Sequence, residues 1–232
     1  MVIHSEAISA ERCVVRNTGG RSGRTISVAP GRTASRHLHY ERIILDRATA
    51  PLRFDTNELE TGFVCLKGAA AITVEGRTVD LHRYDALYVP RDSSVQVERA
   101  PASDGCDLAE IAAPVTTRHP VQFVSFADVQ QDPALHFRTG GPNNQRDLNI
   151  LFGKNIQAGR ILAGVTFSAP GNWTSWPPNE HAAMLEEAYL YIDMPQPAFG
   201  VQLVYTNATE PELATIVHEG DVVLGQYTQA AF

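Results

Sequence analysis

Short runs of branched and aromatic residues, separated by glycines and prolines, make up most of the hydrophobic pattern of this chain. Such residues are enriched in β-strands, and the pattern offers few long runs with the spacing of an amphipathic helix. The 17 glycines and 14 prolines supply the turns between the runs. The pattern therefore predicts an all-β protein.

The predicted strands form two groups, separated by a stretch with a different residue pattern. The first group comprises Arg24–Val28, Glu41–Asp46, Gly62–Gly68, Ala70–Gly76, Asp85–Pro90, Ser94–Arg99 and Asp107–Ala113. The second comprises Arg160–Ser168, Glu187–Asp193, Phe199–Thr206, Leu213–Gly220 and Asp221–Tyr227. So many short strands in each half are typical of a small sandwich or barrel.

Between the groups, the sequence predicts a short helix at Ser125–Gln130 and then a Gly-Pro-Asn run, as expected of a linker. "VEGRTVDLHRYDALYVP" and "ATIVHEGDVVLGQY" each run from a strand, through a charged turn, to an Asp and an apolar strand. We therefore expect two related barrels in tandem, at residues 1–122 and 147–232, joined by a linker at 123–146.

Composition and charge narrow the functional classes. The 232 residues, 44% of them hydrophobic, are enough for one large or two small cores. With 26 acidic against 19 basic residues the net charge is -7, and the basic stripe of nucleic-acid binders is missing, so no nucleic-acid partner is expected. The three widely spaced cysteines favour buried thiols over disulfides or a thiolate metal site. No signal peptide or membrane-spanning run is evident, which predicts a cytoplasmic protein without a membrane partner.

Six segments carry a family resemblance in their order along the chain: "DALYVP", "NNQRDLNILF", "SAPGNWTSWPP", "LEEAYLY", "FGVQLVYT" and "GDVVL". The chain resembles the bicupin sugar isomerases that include 5-deoxyglucuronate isomerase, from inositol breakdown, and 4-deoxy-5-hexosulose-uronate ketol-isomerase, from pectin breakdown. The resemblance implies two jelly-roll barrels and a divalent metal, often zinc, in the second. We also expect a homo-oligomer that acts on a small sugar acid.

In the family, the metal is held by a His-x-His pair, a glutamate on the next strand and a third histidine near the end of the domain. The pair falls on "NEH", where Asn179 replaces the first histidine and His181 is retained. The glutamate falls on Glu187, and the last histidine falls nearest to Thr228, a poor ligand. By comparison with the family, the final strands that usually close the barrel are expected to be absent. His181, Glu187 and Asn179 could therefore bind zinc or manganese in an incomplete site, or line a polar pocket without tightly held metal.

Four further residues are candidates for substrate binding. Tyr189 and Tyr191 alternate along the strand and face the same side as Glu187, so they either line the pocket or belong to the core. Trp173 could flank a sugar ring, or form an apolar clamp on the rim. Arg146 could pair with a uronate carboxylate, or make a salt bridge within the linker.

A rival metal site lies in "RHLHYE", where His37, His39 and Glu41 alternate along a predicted strand. The segment is expected to be an outer strand whose exposed side chains spread apart. The main hypothesis is aldose-ketose isomerisation of a deoxy-uronate, with His181 and Glu187 as metal ligands or as an acid-base pair. The alternative is a repurposed or non-catalytic bicupin with a degraded metal site.

Overall fold

We describe a computed structural model of the chain that covers residues 8–176, 179–180, 185–205, 209–225 and 228–231, with the backbone alone at 179–180 and 228–231. Two short helices occur in this part of the chain, α1 (Ala10–Cys13) and α2 (Phe126–Gln131). All other regular structure there is β-strand, so the all-β prediction is confirmed. Neither helix has the length or the apolar run needed to cross a membrane.

The strands before α2 are β1 (Val14–Val15), β2 (Gly23–Val28), β3 (His39–Asp46), β4 (Leu52–Asp55), β5 (Leu59–Gly68), β6 (Ala70–Val74), β7 (Arg77–Leu81), β8 (Ala86–Val89), β9 (Ser94–Arg99), β10 (Gly105–Pro114) and β11 (Gln122–Val124). Those after it are β12 (His136–Thr139), β13 (Arg146–Phe152), β14 (Ala163–Ser168), β15 (Asn179–Glu180), β16 (Glu187–Leu190), β17 (Gly200–Tyr205), β18 (Pro211–Val217), β19 (Val222–Gly225) and β20 (Thr228–Ala231).

The first barrel consists of two sheets that enclose an apolar core. One sheet has the order β11-β8-β5-β10-β3-β2, and the other has the order β4-β9-β6-β7. Ile43, Phe63, Ile72 and Leu108 meet in the core between them and are fully buried. Because successive side chains of a strand point to opposite faces, the residues between these positions form the outer face of the larger sheet.

The outer face of the larger sheet is covered by the second half of the chain. Val64 on β5 and Tyr88 on β8 belong to the same buried cluster as Phe152 and Val222 from the second half. This explains why β5 is buried along seven consecutive residues rather than at alternate positions. Gly62 belongs to this contact, because a Cβ there would lie 2.4 Å from the ring of Phe152.

A buried carboxylate reinforces the contact between the two halves. Glu60 on β5 is fully buried and accepts hydrogen bonds from the Tyr88 hydroxyl at 2.8 Å, the Gly159 amide at 2.7 Å and the Ile161 amide at 2.8 Å. The Arg160 amide also donates to it. Hydrogen bonds to a charged acceptor are stronger than neutral ones, so this Glu60 clamp stabilises the second half against the first.

The second half contains three sheets, with the orders β12-β13-β14, β1-β19-β16 and β15-β20-β17-β18. The N-terminal strand β1 lies here, since Val14 pairs with Val223 on β19. The Thr18 amide donates to the Gly220 carbonyl at 2.8 Å, and the Asn17 amide donates to Asp221 at 2.9 Å. The N-terminal segment therefore belongs structurally to the second barrel, which its position in the sequence does not suggest.

The segment predicted as a linker has regular structure of its own. The helix expected at Ser125–Gln130 is observed as α2, and β12 within the segment pairs with β13. β11 overlaps its start and pairs with β8 of the first barrel. The division at residues 122 and 147 stays a prediction, since the two halves also share the N-terminal strand.

Candidate functional site

Strand β16 carries three of the predicted site residues. Glu187, Tyr189 and Tyr191 follow one another at every second position, with Tyr191 just after the strand, and all three are half-buried. Alternation brings them to one side of the strand, where Glu187 and Tyr189 act electrostatically on Tyr191. In the sheet order, β16 is an edge strand that pairs with β19.

Tyr189 is hydrogen-bonded to two neighbours. Its hydroxyl interacts with the carboxylate of Glu187, to which it donates, and with the hydroxyl of Ser175. Burial raises the pKa of Tyr189, the negative charge of Glu187 raises it further, and the hydrogen bond from Ser175 opposes the change. The hydroxyl therefore stays protonated around neutral pH and serves as a hydrogen-bond donor in the site.

Tyr191 extends the polar chain toward β17. Its hydroxyl donates to Oε1 of Gln202, and the Gln202 side chain is fully buried. The Gln202 amide nitrogen in turn donates to the Leu203 carbonyl at 3.1 Å. Burial is the main cause that raises the pKa of Tyr191, so this phenol too remains neutral. The result is a continuous row of polar side chains in a mostly apolar barrel.

Arg146 and Trp173 lie at two rim segments that are hydrogen-bonded to each other, the loop just before β13 and the loop that carries Trp173. The Trp173 amide donates to the Asn143 carbonyl at 2.9 Å, and the Asn144 side chain donates to the Trp176 carbonyl at 2.7 Å. The rings of Trp173 and Trp176 lie 5.0 Å apart between centroids. Arg146 begins β13, is half-buried, and its positive charge acts on Tyr189. The structure thus brings Arg146, Glu187 and Tyr189 together.

Two of the predicted site residues, His181 and Asn179, fall where the structure gives no side-chain description. His181 lies outside the described residues, and at Asn179 only the backbone is described, as part of β15 paired with β20. The backbone of Thr228 is likewise in β20, opposite Glu180. The roles predicted for His181 and Asn179 therefore stay predictions.

The described side chains do not form the divalent metal site that the resemblance implies. Within the described ranges, no three His, Cys, Asp or Glu side chains are grouped so that they could hold a metal ion. Around Glu187 the donors are phenols and a hydroxyl, which are not preferred ligands of zinc, and the charge of Arg146 opposes a second cation. This set does not fit the metal, and no chemical step is derived through one.

The alternative metal site predicted at His37, His39 and Glu41 is not formed. His37 precedes β3, whereas Glu41 is buried in the first barrel, where it faces Glu110 on β10. The expectation that this segment is an exposed outer strand is wrong, because β3 lies between β10 and β2 and its inward side chains are covered. Burial lowers the pKa of His39, and the charges of Glu58, Glu110 and Glu186 oppose the change.

In the first barrel, Glu41 belongs to a buried ionic cluster with Glu110 and Arg24. The Arg24 side chain binds Glu110 through two nitrogens, each at 2.8 Å, and its Nε lies 2.5 Å from Glu41. The guanidinium carbon of Arg24 also lies 3.8 Å from the ring centre of Phe54. Arg24 therefore links the two carboxylates and the ring of Phe54 in the first barrel.

Comparison with known proteins agrees with these observations. The sequence pattern of the KduI/IolB family matches residues 13–229, nearly the whole chain. The chain belongs to the KduI/IolB family. A 5-deoxy-glucuronate isomerase of Geobacillus kaustophilus is 28% identical over 219 residues, which cover 87% of this chain and 76% of that protein. A 4-deoxy-L-threo-5-hexosulose-uronate ketol-isomerase of Oceanobacillus iheyensis is 27% identical over 175 residues, which cover 68% of this chain and 62% of that protein.

The fold of this KduI/IolB family member also matches a solved structure. The crystal structure of an IolB-like protein from Salmonella typhimurium aligns with a TM-score of 0.80 at 20% identity, covering 94% of this chain and 86% of the other. At this identity the likeness shows the fold alone. The tandem cupin-type fold expected from the sequence is confirmed.

Sequence reasoning missed two members of the site. Gln202 could have been found, because it is a lone polar residue among apolar ones at an inward position of β17. Ser175 gives no such signal, since a serine in a loop is ordinary and only the fold brings it to Tyr189. Glu186, the neighbour of Glu187 in the chain, binds the backbone of a distant loop.

Proposed function

We propose that this protein interconverts the aldose and ketose forms of a deoxy-uronate or related sugar acid in its second barrel. Family membership supports the reaction class, since its relatives are named as isomerases of such sugars. The single observation that carries the proposal is the contact of Glu187 with the neutral hydroxyl of Tyr189, within the field of Arg146. Isomerisation of a sugar acid needs a base to move the proton, a hydroxyl donor for the carbonyl oxygen and a cation for the carboxylate. Glu187, Tyr189 and Arg146 would supply these in turn.

Arg146 is proposed to bind the carboxylate of the substrate. A guanidinium can make two parallel hydrogen bonds to a carboxylate, which fix both the position and the orientation of the sugar. Trp173 and Trp176 lie on the loop that is hydrogen-bonded to the segment before Arg146, and their rings would offer apolar faces to the sugar. The two rim loops would then hold the substrate over β16.

Glu187 is proposed as the base that moves the proton between neighbouring carbons. Its carboxylate removes the proton from the carbon next to the carbonyl, and the C–H electron pair forms the carbon-carbon double bond of an enediol. The carbonyl oxygen gains a proton from Tyr189, whose raised pKa keeps the hydroxyl available. Glu187 then delivers its proton to the former carbonyl carbon. The hydroxyl on the carbon that was first deprotonated gives its proton to Tyr189 and becomes the new carbonyl, so no atom or electron is gained or lost.

Tyr191 is proposed to orient a substrate hydroxyl, with its own hydroxyl held in place by Gln202. His181 is proposed as a second acid-base group, because an imidazole titrates near neutrality. Zinc or manganese would need His181 and the side chain of Asn179 in addition to Glu187. The mechanism given above does not require them to bind a metal.

Turnover of purified variants tests the proposal. Glu187→Gln and His181→Ala should each lower isomerisation by at least about a hundredfold, the contribution of one well-placed proton-transfer group. Glu75→Gln is the matched control, because Glu75 pairs with Arg118 on the surface of the first barrel. If all three variants match the wild-type protein, the acid-base assignment is wrong. If the wild-type protein converts no deoxy-uronate, the alternative of a non-catalytic or repurposed bicupin replaces the enzyme.

A further inference from the structure

Glu186 binds three consecutive backbone amides of a loop from the other half of the chain. Its Oε1 accepts from the Arg36 amide at 2.6 Å, and its Oε2 accepts from the His37 and Leu38 amides, each at 2.9 Å. Residues 36–38 connect β2 to β3 of the first barrel. Consecutive amides that converge on one carboxylate form a backbone anion site, here filled from within the molecule.

This contact lies directly beside the candidate site. Glu186 immediately precedes Glu187, the first residue of β16. β16 is an edge strand with β19 as its partner in the sheet, so its two ends need other attachments. Beyond its C-terminal end, the Tyr191 amide donates to the Asp221 carbonyl at 2.9 Å, and the Gly220 amide donates to the Tyr191 carbonyl at 2.8 Å.

We infer that Glu186 is a positioning residue, which fixes the start of β16 to the loop of the first barrel and so holds the Glu187 carboxylate in place. The inference rests on the proposed function only in taking Glu187 as the reacting group. A reacting group displaced by about 1 Å can lose up to about a hundredfold in rate, so an anchored edge strand matters for catalysis. The first barrel thereby acts on the site of the second without contributing a side chain to it.

The chain offers a matched control for this inference. The Glu60 clamp also holds three backbone amides from the other half of the chain, those of residues 159–161, but it lies on β5 and not on β16. Glu186→Gln and Glu60→Gln therefore remove the same kind of interaction from two places. A purely structural role for Glu186 predicts the same behaviour for both variants.

The first measurement is hydrogen-deuterium exchange of the purified variants, which requires no activity. Glu186→Gln should speed exchange in the peptide that covers 185–191 as well as at 36–38, by about tenfold or more. Glu60→Gln should leave exchange at 185–191 unchanged. If 185–191 keeps its wild-type protection in Glu186→Gln, the inference is overturned.

The second measurement is steady-state isomerisation, well below the unfolding temperature of each variant. Glu186→Gln should lower kcat about tenfold with KM within about twofold, Glu186→Asp should restore part of the loss, and Glu60→Gln should keep the wild-type kcat. Equal losses of kcat in Glu186→Gln and Glu60→Gln would contradict positioning. An inactive wild-type protein would refute the proposed function instead, and the exchange result would then decide the inference alone.

Discussion

Replacing Glu41 by glutamine should change how the stability of the protein depends on pH. Glu41 and Glu110 lie directly opposite each other on β3 and β10, are both buried, and share the single cation of Arg24. Burial first, and then the charge of Glu110, raise the pKa of Glu41 from its ordinary 4.5 to about 7, and the charge of Arg24 opposes the change. One proton held by the two carboxylates makes the cluster neutral.

The proton shared by the two carboxylates determines how the free energy of unfolding changes with pH. Between pH 4.5 and 7 the folded protein keeps the proton while the unfolded chain releases it, so the free energy of unfolding falls as the pH rises through this range. A difference of one in pKa between the folded and unfolded states corresponds to about 1.4 kcal/mol. The free energy of unfolding therefore falls by at most about 3 kcal/mol over this range. Glutamine resembles the protonated acid, since it can accept from Arg24 and donate to Glu110 without titrating.

Urea unfolding followed by circular dichroism at several pH values between 4.5 and 8 provides the assay. The difference in unfolding free energy between Glu41→Gln and the wild-type protein should be near zero at pH 4.5. It should grow to as much as about 3 kcal/mol in favour of the variant at pH 8, or about 6–12 °C in Tm. Comparing the two proteins at each pH cancels the titration of distant groups. A difference that stays constant over this range, or that grows toward low pH, would refute the reasoning.

Three further outcomes are expected. Glu60→Gln should lower the free energy of unfolding by about 3 kcal/mol in thermal denaturation, because it weakens a buried, charged acceptor of several hydrogen bonds; an unchanged Tm would contradict this. The double change His37→Ala and His39→Ala should leave turnover intact, since the loop is held by backbone amides; a loss of activity in the folded variant would place the site elsewhere. Arg146→Gln should raise KM for an uronate about tenfold or more with a smaller effect on kcat, which initial rates over a range of substrate concentrations will show.

The fold was predictable from sequence where strands are apolar and turns are marked. β3, β5, β8 and β17 lie within or around the ranges that the pattern predicts. β7 was missed because its residues, Arg77–Leu81, are mostly exposed and polar at alternate positions. β1 could not be assigned to the second barrel, since its partner β19 is distant in the chain and a two-residue strand has no periodicity of its own.

The candidate site was only partly predictable. Alternation along β16 places Glu187, Tyr189 and Tyr191 together, and the structure brings Arg146 to them. Ser175 joins the group only because the two rim loops bind each other, a contact between segments with no sequence periodicity. The ionic cluster of the first barrel was misread as an exposed strand, because its burial depends on which strands flank β3.

Incubation of the purified protein with a deoxy-uronate in D2O, followed by NMR, tests the central claim most directly. The account predicts conversion between the aldose and ketose forms, with deuterium entering at the carbon next to the carbonyl as Glu187 exchanges its proton with solvent. Glu187→Gln should slow both the conversion and the labelling by at least about a hundredfold. A wild-type protein that leaves both 5-deoxy-glucuronate and 4-deoxy-5-hexosulose-uronate unchanged and unlabelled would contradict the claim.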